Sequence, residues 1–163
     1  MFLRILQRAN YLLTEYKIFD FPVPLDTIDQ IIEDMNIKIV IKKNLKSSMH
    51  LDGELTIGEY DPEQYREDIV HEVCHITQHA TNTFNCDNVV VAKNESQAQA
   101  FAAYFLMPVF IFETDLAQGC NDYELSENFG VNIEFVQFRK TLTESLMHIG
   151  YFDRIYNNIK VIK

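Results

Sequence analysis

The segment His71-Glu72-Val73-Cys74-His75 constrains this chain more than any other feature of its sequence. On an α-helix, residues four apart lie one above the other on the same face, so His71 and His75 can both reach a single metal ion. Glu72 lies about 100° further around the helix, from which its carboxylate reaches a water molecule rather than the metal. This HExxH arrangement is typical of zinc hydrolases, in which the glutamate is the general base.

The residues around the motif predict that it lies on a helix of about four to five turns. Ile69, Val73, Ile76 and Ala80 recur at helical spacing and predict a buried stripe beside the histidines. The segment 61–63 (Asp-Pro-Glu) predicts the helix start, because proline fits the first turn and acidic residues suit the positive end of the helix dipole.

A catalytic zinc site needs three protein ligands and one open position, and the best third candidate is Glu95. Glu95 begins an alanine-rich run that ends at Pro108 and carries apolar residues at helical spacing, so this run predicts a second helix. Small alanines allow two helices to approach closely. Polar residues between the two segments predict a chain reversal: Asn82, Asn85, Asp87 and Asn88. The sequence therefore predicts an antiparallel helix pair that carries His71, His75 and Glu95 on facing sides.

Two other side chains close to the motif have alternative interpretations. His79 extends the histidine face by one turn and could be a fourth ligand. An outer or structural role is favoured, because a fourth protein ligand would close the open position. Cys74 could in principle touch a metal, but a buried, inert thiol is favoured.

An oxyanion formed during hydrolysis needs a hydrogen-bond donor besides the metal. Tyr60 and His50 stand in the segments before the motif helix and are candidates. Tyr104 is disfavoured, because nine residues after Glu95 it lies on the opposite face of its helix.

Hydrophobic patterns predict an α+β fold that begins with two helices, over residues 2–17 and 25–35. Residues 37–41 predict a β-branched strand, and residues 49–57 predict a hairpin around Asp52-Gly53.

The C-terminal third predicts helices over 108–118, 122–129 and 132–146, the last two arranged like a helix-turn-helix. DNA binding is disfavoured for this pair, because residues 109–147 contain seven acids and only Arg139 and Lys140 as bases. We therefore expect a helical subdomain over 109–163 that packs on a core over 1–108, within one compact unit.

The formal net charge of −10 argues against direct nucleic-acid binding, which needs a basic surface. The charge is compatible with steering of a basic protein partner, although a role in solubility alone is favoured. The three cysteines (Cys74, Cys86 and Cys120) are an odd number and lack the spacing of a disulfide framework, which favours a reducing cytoplasm. Neither a signal peptide nor a transmembrane stretch is expected, and the sequence does not indicate an oligomeric state.

Two motifs resemble the ImmA/IrrE family of bacterial metallopeptidases, encoded largely by phages, mobile elements and stress-response loci. The first is His71-Glu72-x-x-His75 followed by His79, and the second is Glu95-x-Gln97-Ala98-x-x-Phe101-Ala102-x-x-x-Leu106-Met107-Pro108. The resemblance covers roughly residues 5–147. It implies a zincin-like, gluzincin-type domain in which Glu95 is the third zinc ligand and the edge strand of a small sheet receives the substrate. Gln99, four residues after Glu95, could orient a metal-bound histidine.

The resemblance also implies a substrate, a helix-turn-helix transcriptional repressor that is cut to release its target genes. The leading hypothesis is therefore a zinc endopeptidase with Glu72 as general base and Zn²⁺ held by His71, His75 and Glu95. One alternative is a non-hydrolytic regulator that grips a repressor and uses zinc structurally. Another is a toxin or stress protease with broader targets.

Overall fold

The computed structural model describes residues 2–43, 45, 48–51, 53–58, 61–78 and 87–155. In chain order the elements are α1 (Leu3–Glu15), α2 (Leu25–Asp34), β1 (Lys38–Lys42), β2 (Met49–Leu51), β3 (Glu54–Gly58), α3 (Pro62–Gln78), α4 (Asn88–Leu106), α5 (Val109–Ala117), α6 (Asp122–Phe129) and α7 (Ile133–His148). A short helical turn follows at 151–155. The predictions for Asp52, Tyr60, His79, Ala80 and Cys86, the reversal at 79–86 and the tail after 155 lie outside the described residues.

The strands form a three-stranded sheet in the order β1-β3-β2. The predicted hairpin is confirmed, since β2 and β3 pair antiparallel and Gly53 has the positive φ of 79° that its turn position requires. β1 pairs in parallel with β3, which places β3 in the centre. Leu55 and Ile57 of β3 are fully buried, so one face of the sheet is part of the core. Together with the helices, this sheet makes the fold α+β, as predicted.

The helices α3 and α4 pack against each other and form the centre of the molecule. Ile69 and Val73 are buried as predicted, and the alanines of α4 are buried with Phe101 and Phe105. The two helices run antiparallel, because Glu95 meets the later histidines of α3 whereas Ala102 lines the same cleft as Gln64 near the start of α3.

The predicted start of the second helix is wrong by about two turns, since α4 begins at Asn88 instead of Glu95. Asp87 is the N-cap, and its side chain accepts a hydrogen bond from the backbone N–H of Val89. Asn88 is therefore the first helical residue rather than part of a turn. The prediction missed the first two turns of α4 because the three consecutive valines at 89–91 have low helix propensity. The Asp87 cap and the packing of α4 against α1 and α3 outweigh this low propensity.

The turn between α6 and α7 is buried against α3. Gly130 has φ 59°, and a Cβ there would lie 2.8 Å from the Cβ of Pro22 and 2.9 Å from Nη1 of Arg66. Arg66 donates to the carbonyl oxygen of Gly130, and Glu67 accepts from the backbone N–H of Asn132 at 2.6 Å. The last helices are thus attached to the N-terminal half of the motif helix. The domain boundary at residue 108 stays a prediction.

Among the described residues, no single helix is long and apolar enough to cross a membrane. Of the described helices, only α4 and α5 taken together have the length and apolar composition of a membrane span, and the chain bends by 68° between these two helices.

Candidate metal centre

His71, His75 and Glu95 converge at the surface between α3 and α4. The Nε2 atoms of the two histidines are 3.0 Å apart. One carboxylate oxygen of Glu95 lies 3.2 Å from Nε2 of His71, and the other lies 3.3 Å from Nε2 of His75. One possible ligand atom from each residue falls within 4.8 Å of the others, so the three residues could hold one metal ion.

The chemistry of this donor set fits a divalent cation. A neutral imidazole carries one N–H and one lone pair, and a carboxylate only accepts, so the three close contacts among these groups cannot all be hydrogen bonds without an added proton or cation. Two imidazole nitrogens and one carboxylate oxygen are a ligand set that zinc accepts, and they leave a fourth position open. Glu95 remains half exposed, at 53% for its side chain, which leaves the centre open to solvent.

Glu72 lies beside the histidines but is buried, with 8% of its surface exposed. Burial raises the pKa of its carboxyl group above the usual value. The hydroxyl of Ser48 donates a hydrogen bond to Oε1 of Glu72 at 2.5 Å, and this contact together with the nearby His71 acts in the opposite direction on that pKa. The Glu72 carboxylate is thus close enough to His71 and Glu95 to interact with their charges, but it is not one of the three converging groups.

An open cleft of about 610 Å³ adjoins the centre. Its lining combines two of the converging residues with other polar side chains and a small apolar floor: Gln64, Glu67, Asp68, His71, Ala92, Glu95, Ser96, Gln99, Ala102 and Phe135. No lysine or arginine occurs among these lining residues. Three of them carry carboxyl groups, Glu67, Asp68 and Glu95, so the cleft is acidic.

Two carboxyl groups on α3 line the cleft and differ in their partners. Asp68 accepts from Nε2 of Gln64 at 2.7 Å, and its pKa is raised by burial, although Gln64 and the nearby His71 oppose this. Glu67 has its pKa raised to about 7, mainly by burial, while its hydrogen bonds from Asn132 act in the opposite direction. Asp68 stands one turn before His71 on the same face of α3, and the two side chains are close enough for their charges to interact.

The other residues singled out from the sequence occupy different places. Cys74 is fully buried, and burial raises the pKa of its thiol to about 12, as the inert interpretation expects. Tyr104 is buried beside Arg139, away from the centre, as predicted. His50 is an exposed residue of β2 whose backbone position pairs with Leu55. Gln99 is exposed in the cleft.

Sequence reasoning missed Asp68 and Ser48. Asp68 could have been found, because positions 68, 71 and 75 share one face of a helix. Ser48 has no sequence signal of this kind, since it precedes a short strand and meets Glu72 only in the folded chain, 24 residues apart.

Comparison with known proteins identifies the family. No curated protein sequence matches the chain. A solved structure described as a Mycobacterium tuberculosis transcriptional regulator is similar, with a TM-score of 0.69 and 21% identity over 82% of this chain. That likeness shows the fold alone, and the chain spans 45% of the length of that structure. The IrrE N-terminal-like domain, peptidase M78, matches residues 31–141, about two thirds of the chain, including both motifs. The chain therefore belongs to the family of IrrE N-terminal-like domains, which confirms the ImmA/IrrE membership predicted from its two motifs.

Proposed function

We propose that this chain is a zinc-dependent endopeptidase of the zincin, gluzincin-like type, and that it cuts a helix-turn-helix transcriptional repressor. The observation that carries the proposal is the convergence of His71, His75 and Glu95 within 4.8 Å, with the buried carboxylate of Glu72 beside them. A purely structural zinc site has no use for a general base, so the presence of Glu72 favours hydrolysis.

The roles of the residues follow from their chemistry. The imidazoles of His71 and His75 and the carboxylate of Glu95 would hold the zinc ion, which would polarise the carbonyl of the scissile peptide and lower the pKa of water. Glu72 accepts the proton of the attacking water and delivers it to the amine that leaves when the C–N bond breaks. A general base works best when its pKa lies near the working pH. Burial shifts the pKa of Glu72 upward, which is the direction that this role requires at neutral pH.

The sheet offers a place for an extended substrate. β2 lies at one end of the sheet order, beside α3, and its backbone pairs with β3 along one edge. A peptide that adds along the other edge of β2 would gain backbone hydrogen bonds and pass close to Glu72. The acidic cleft next to the centre would accept basic side chains of the same peptide.

The choice of a repressor as substrate is supported by the family and by charge. The ImmA/IrrE resemblance implies cleavage of helix-turn-helix repressors, and DNA-binding proteins are commonly basic. The net charge of −10 would steer such a partner towards this chain. A repressor encoded beside the gene for this chain is therefore the first substrate to test.

The test is Glu72→Gln, which preserves the shape of the side chain and removes the base. We expect zinc, measured by elemental mass spectrometry, to stay at one equivalent per chain while repressor cleavage falls by about 10²–10⁴-fold. Glu63→Gln is the matched control, because it makes the same change on the same helix near its start. Repressor inactivation that persists in Glu72→Gln without any cut would favour the non-hydrolytic regulator instead.

A further inference from the structure

The hydroxyl of Ser48 donates a hydrogen bond to Oε1 of the Glu72 carboxylate. It comes directly before β2, which is the strand beside α3, whereas Glu72 lies in the middle of α3. The contact therefore joins the start of the edge strand β2 to the proposed general base.

A glutamate carboxylate needs such a contact to point in one direction. The last torsion of a glutamate side chain is broad and roughly two-fold, so the carboxylate rotates readily unless a hydrogen bond fixes it. Glu72 is 8% exposed, and a buried charged group of this kind is stabilised by a donor. Because Ser48 binds Oε1, it leaves Oε2 as the oxygen that can face the attacking water.

We propose that Ser48 is a positioning residue that aims the carboxylate of Glu72 and makes its orientation depend on the start of β2. The proposal rests on the proposed endopeptidase function, and it adds a residue, directly before the edge strand, whose hydroxyl holds the proposed general base in place. A group that acts on orientation changes kcat rather than substrate affinity.

The first experiment measures repressor cleavage by zinc-loaded Ser48→Ala. Loss of a hydrogen bond to a charged group, together with misplacement of the base, is expected to lower kcat by roughly ten- to a hundredfold, with KM within about twofold of the wild type. Ser48→Thr keeps a hydroxyl at the same atom and is expected to recover most of that kcat.

Ser126→Ala is the matched control. Ser126 is also a partly buried serine, and its hydroxyl donates to the carbonyl oxygen of Val131, in the turn between α6 and α7. Its loss removes one hydrogen bond of similar length without touching the centre, so kcat is expected to remain at the wild-type level. An equal loss of kcat in Ser126→Ala and Ser48→Ala would overturn the positioning role, because both would then act through stability.

A second readout does not depend on cleavage. In the metal-free protein, the ¹³C signal of the Glu72 carboxylate is expected to shift and broaden in Ser48→Ala and to stay unchanged in Ser126→Ala. An unchanged Glu72 signal in Ser48→Ala would overturn the contact itself.

The two readouts separate failure of this proposal from failure of the proposed function. A wild-type chain that cleaves while Ser48→Ala keeps its full kcat overturns the positioning role and leaves the endopeptidase standing. A wild-type chain that binds zinc and cuts neither the repressor nor an unfolded protein such as casein overturns the endopeptidase, and with it the positioning of a general base, even if the Glu72 signal responds to Ser48.

Discussion

Two polar clusters of this molecule lie near the two ends of α4 and are built in opposite ways. Near its start, Glu95 meets His71 and His75 at the surface. Beyond its end, Arg139 is completely buried and forms an ion pair with Glu113 at 3.1 Å. The first cluster gathers groups with lone pairs, whereas the second matches a group that only donates with groups that accept.

The buried cluster satisfies its own bonding. Arg139 donates through Nε to the carbonyl oxygen of Met107, through Nη1 to Thr143 and through Nη2 to Glu113. Its guanidinium carbon also lies 4.5 Å from the ring centroid of Phe112. Such a cluster needs nothing from outside and serves the fold. The surface cluster lacks such a cation, since none of the described residues that line its cleft is lysine or arginine. The difference indicates which of the two clusters could hold a metal ion.

The largest expected effect comes from breaking the buried cluster with Glu113→Ala. This change leaves the positive charge of Arg139 buried without its partner, and such losses cost about 3–5 kcal/mol in the free energy of unfolding. Urea unfolding of the metal-free protein measures it. Lys140→Ala is the control, because it removes the partly exposed ion pair between Lys140 and Asp122, and it should cost far less stability than Glu113→Ala. Equal costs for the two variants would contradict the distinction between the clusters.

The second largest effect is expected from Glu95→Ala, which should weaken metal binding and leave the stability of the metal-free protein almost unchanged. Removal of one of three ligands should weaken zinc binding by roughly a hundredfold or more, so a given zinc concentration should raise the melting temperature much less than in the wild type. The metal-free protein should keep its stability to within about 1 kcal/mol, because the half-exposed Glu95 side chain contributes little to the core. Competition with a fluorescent chelator measures the affinity, and unchanged affinity would place the third ligand elsewhere.

The contrast between the clusters also explains how much the sequence revealed. The triad could be predicted because HExxH and the run from Glu95 to Pro108 are local patterns on helices. The helix α6 could be placed at 122–129 because Asn121 and Glu124 form a capping box and Gly130 ends it.

The buried cluster could not be predicted in the same way. Arg139 was counted only as one of two bases in an acidic region, since its partner Glu113 lies 26 residues away and meets it only through packing. Ser48 escaped prediction for the same reason. Long-range pairing leaves no periodic signal, whereas ligand spacing on one helix does.

A smaller effect is expected from Asp68→Asn. This variant tests whether a neighbouring carboxylate orients a member of the surface cluster, as hydrogen bonds orient Arg139 in the buried cluster. Asp68 lies one turn before His71 and accepts from Gln64. If it orients the His71 ring, its loss should weaken zinc binding by about tenfold while leaving one zinc per chain at saturation. The same chelator competition measures this effect, with Ser126→Ala as the control. Affinity equal to the wild type would limit the role of Asp68 to the lining of the cleft.

The smallest effect concerns Glu67, a carboxyl group that accepts hydrogen bonds, as Glu113 does, but forms no ion pair with a described residue. Burial raises its pKa from 4.5 to about 7 in the folded chain. The folded protein therefore keeps a proton that the unfolded chain releases, so this stabilising contribution is complete below about pH 4.5 and disappears as pH rises through about 7. Discounted for solvent screening, the loss is about 1 kcal/mol. Glu67→Gln can still accept from the backbone N–H of Asn132, and it should lose less stability than the wild type between pH 5 and pH 8, measured by urea unfolding without metal. Parallel curves for the two proteins would show that Glu67 is ionised throughout and that this hydrogen bond stabilises its charge better than burial opposes it.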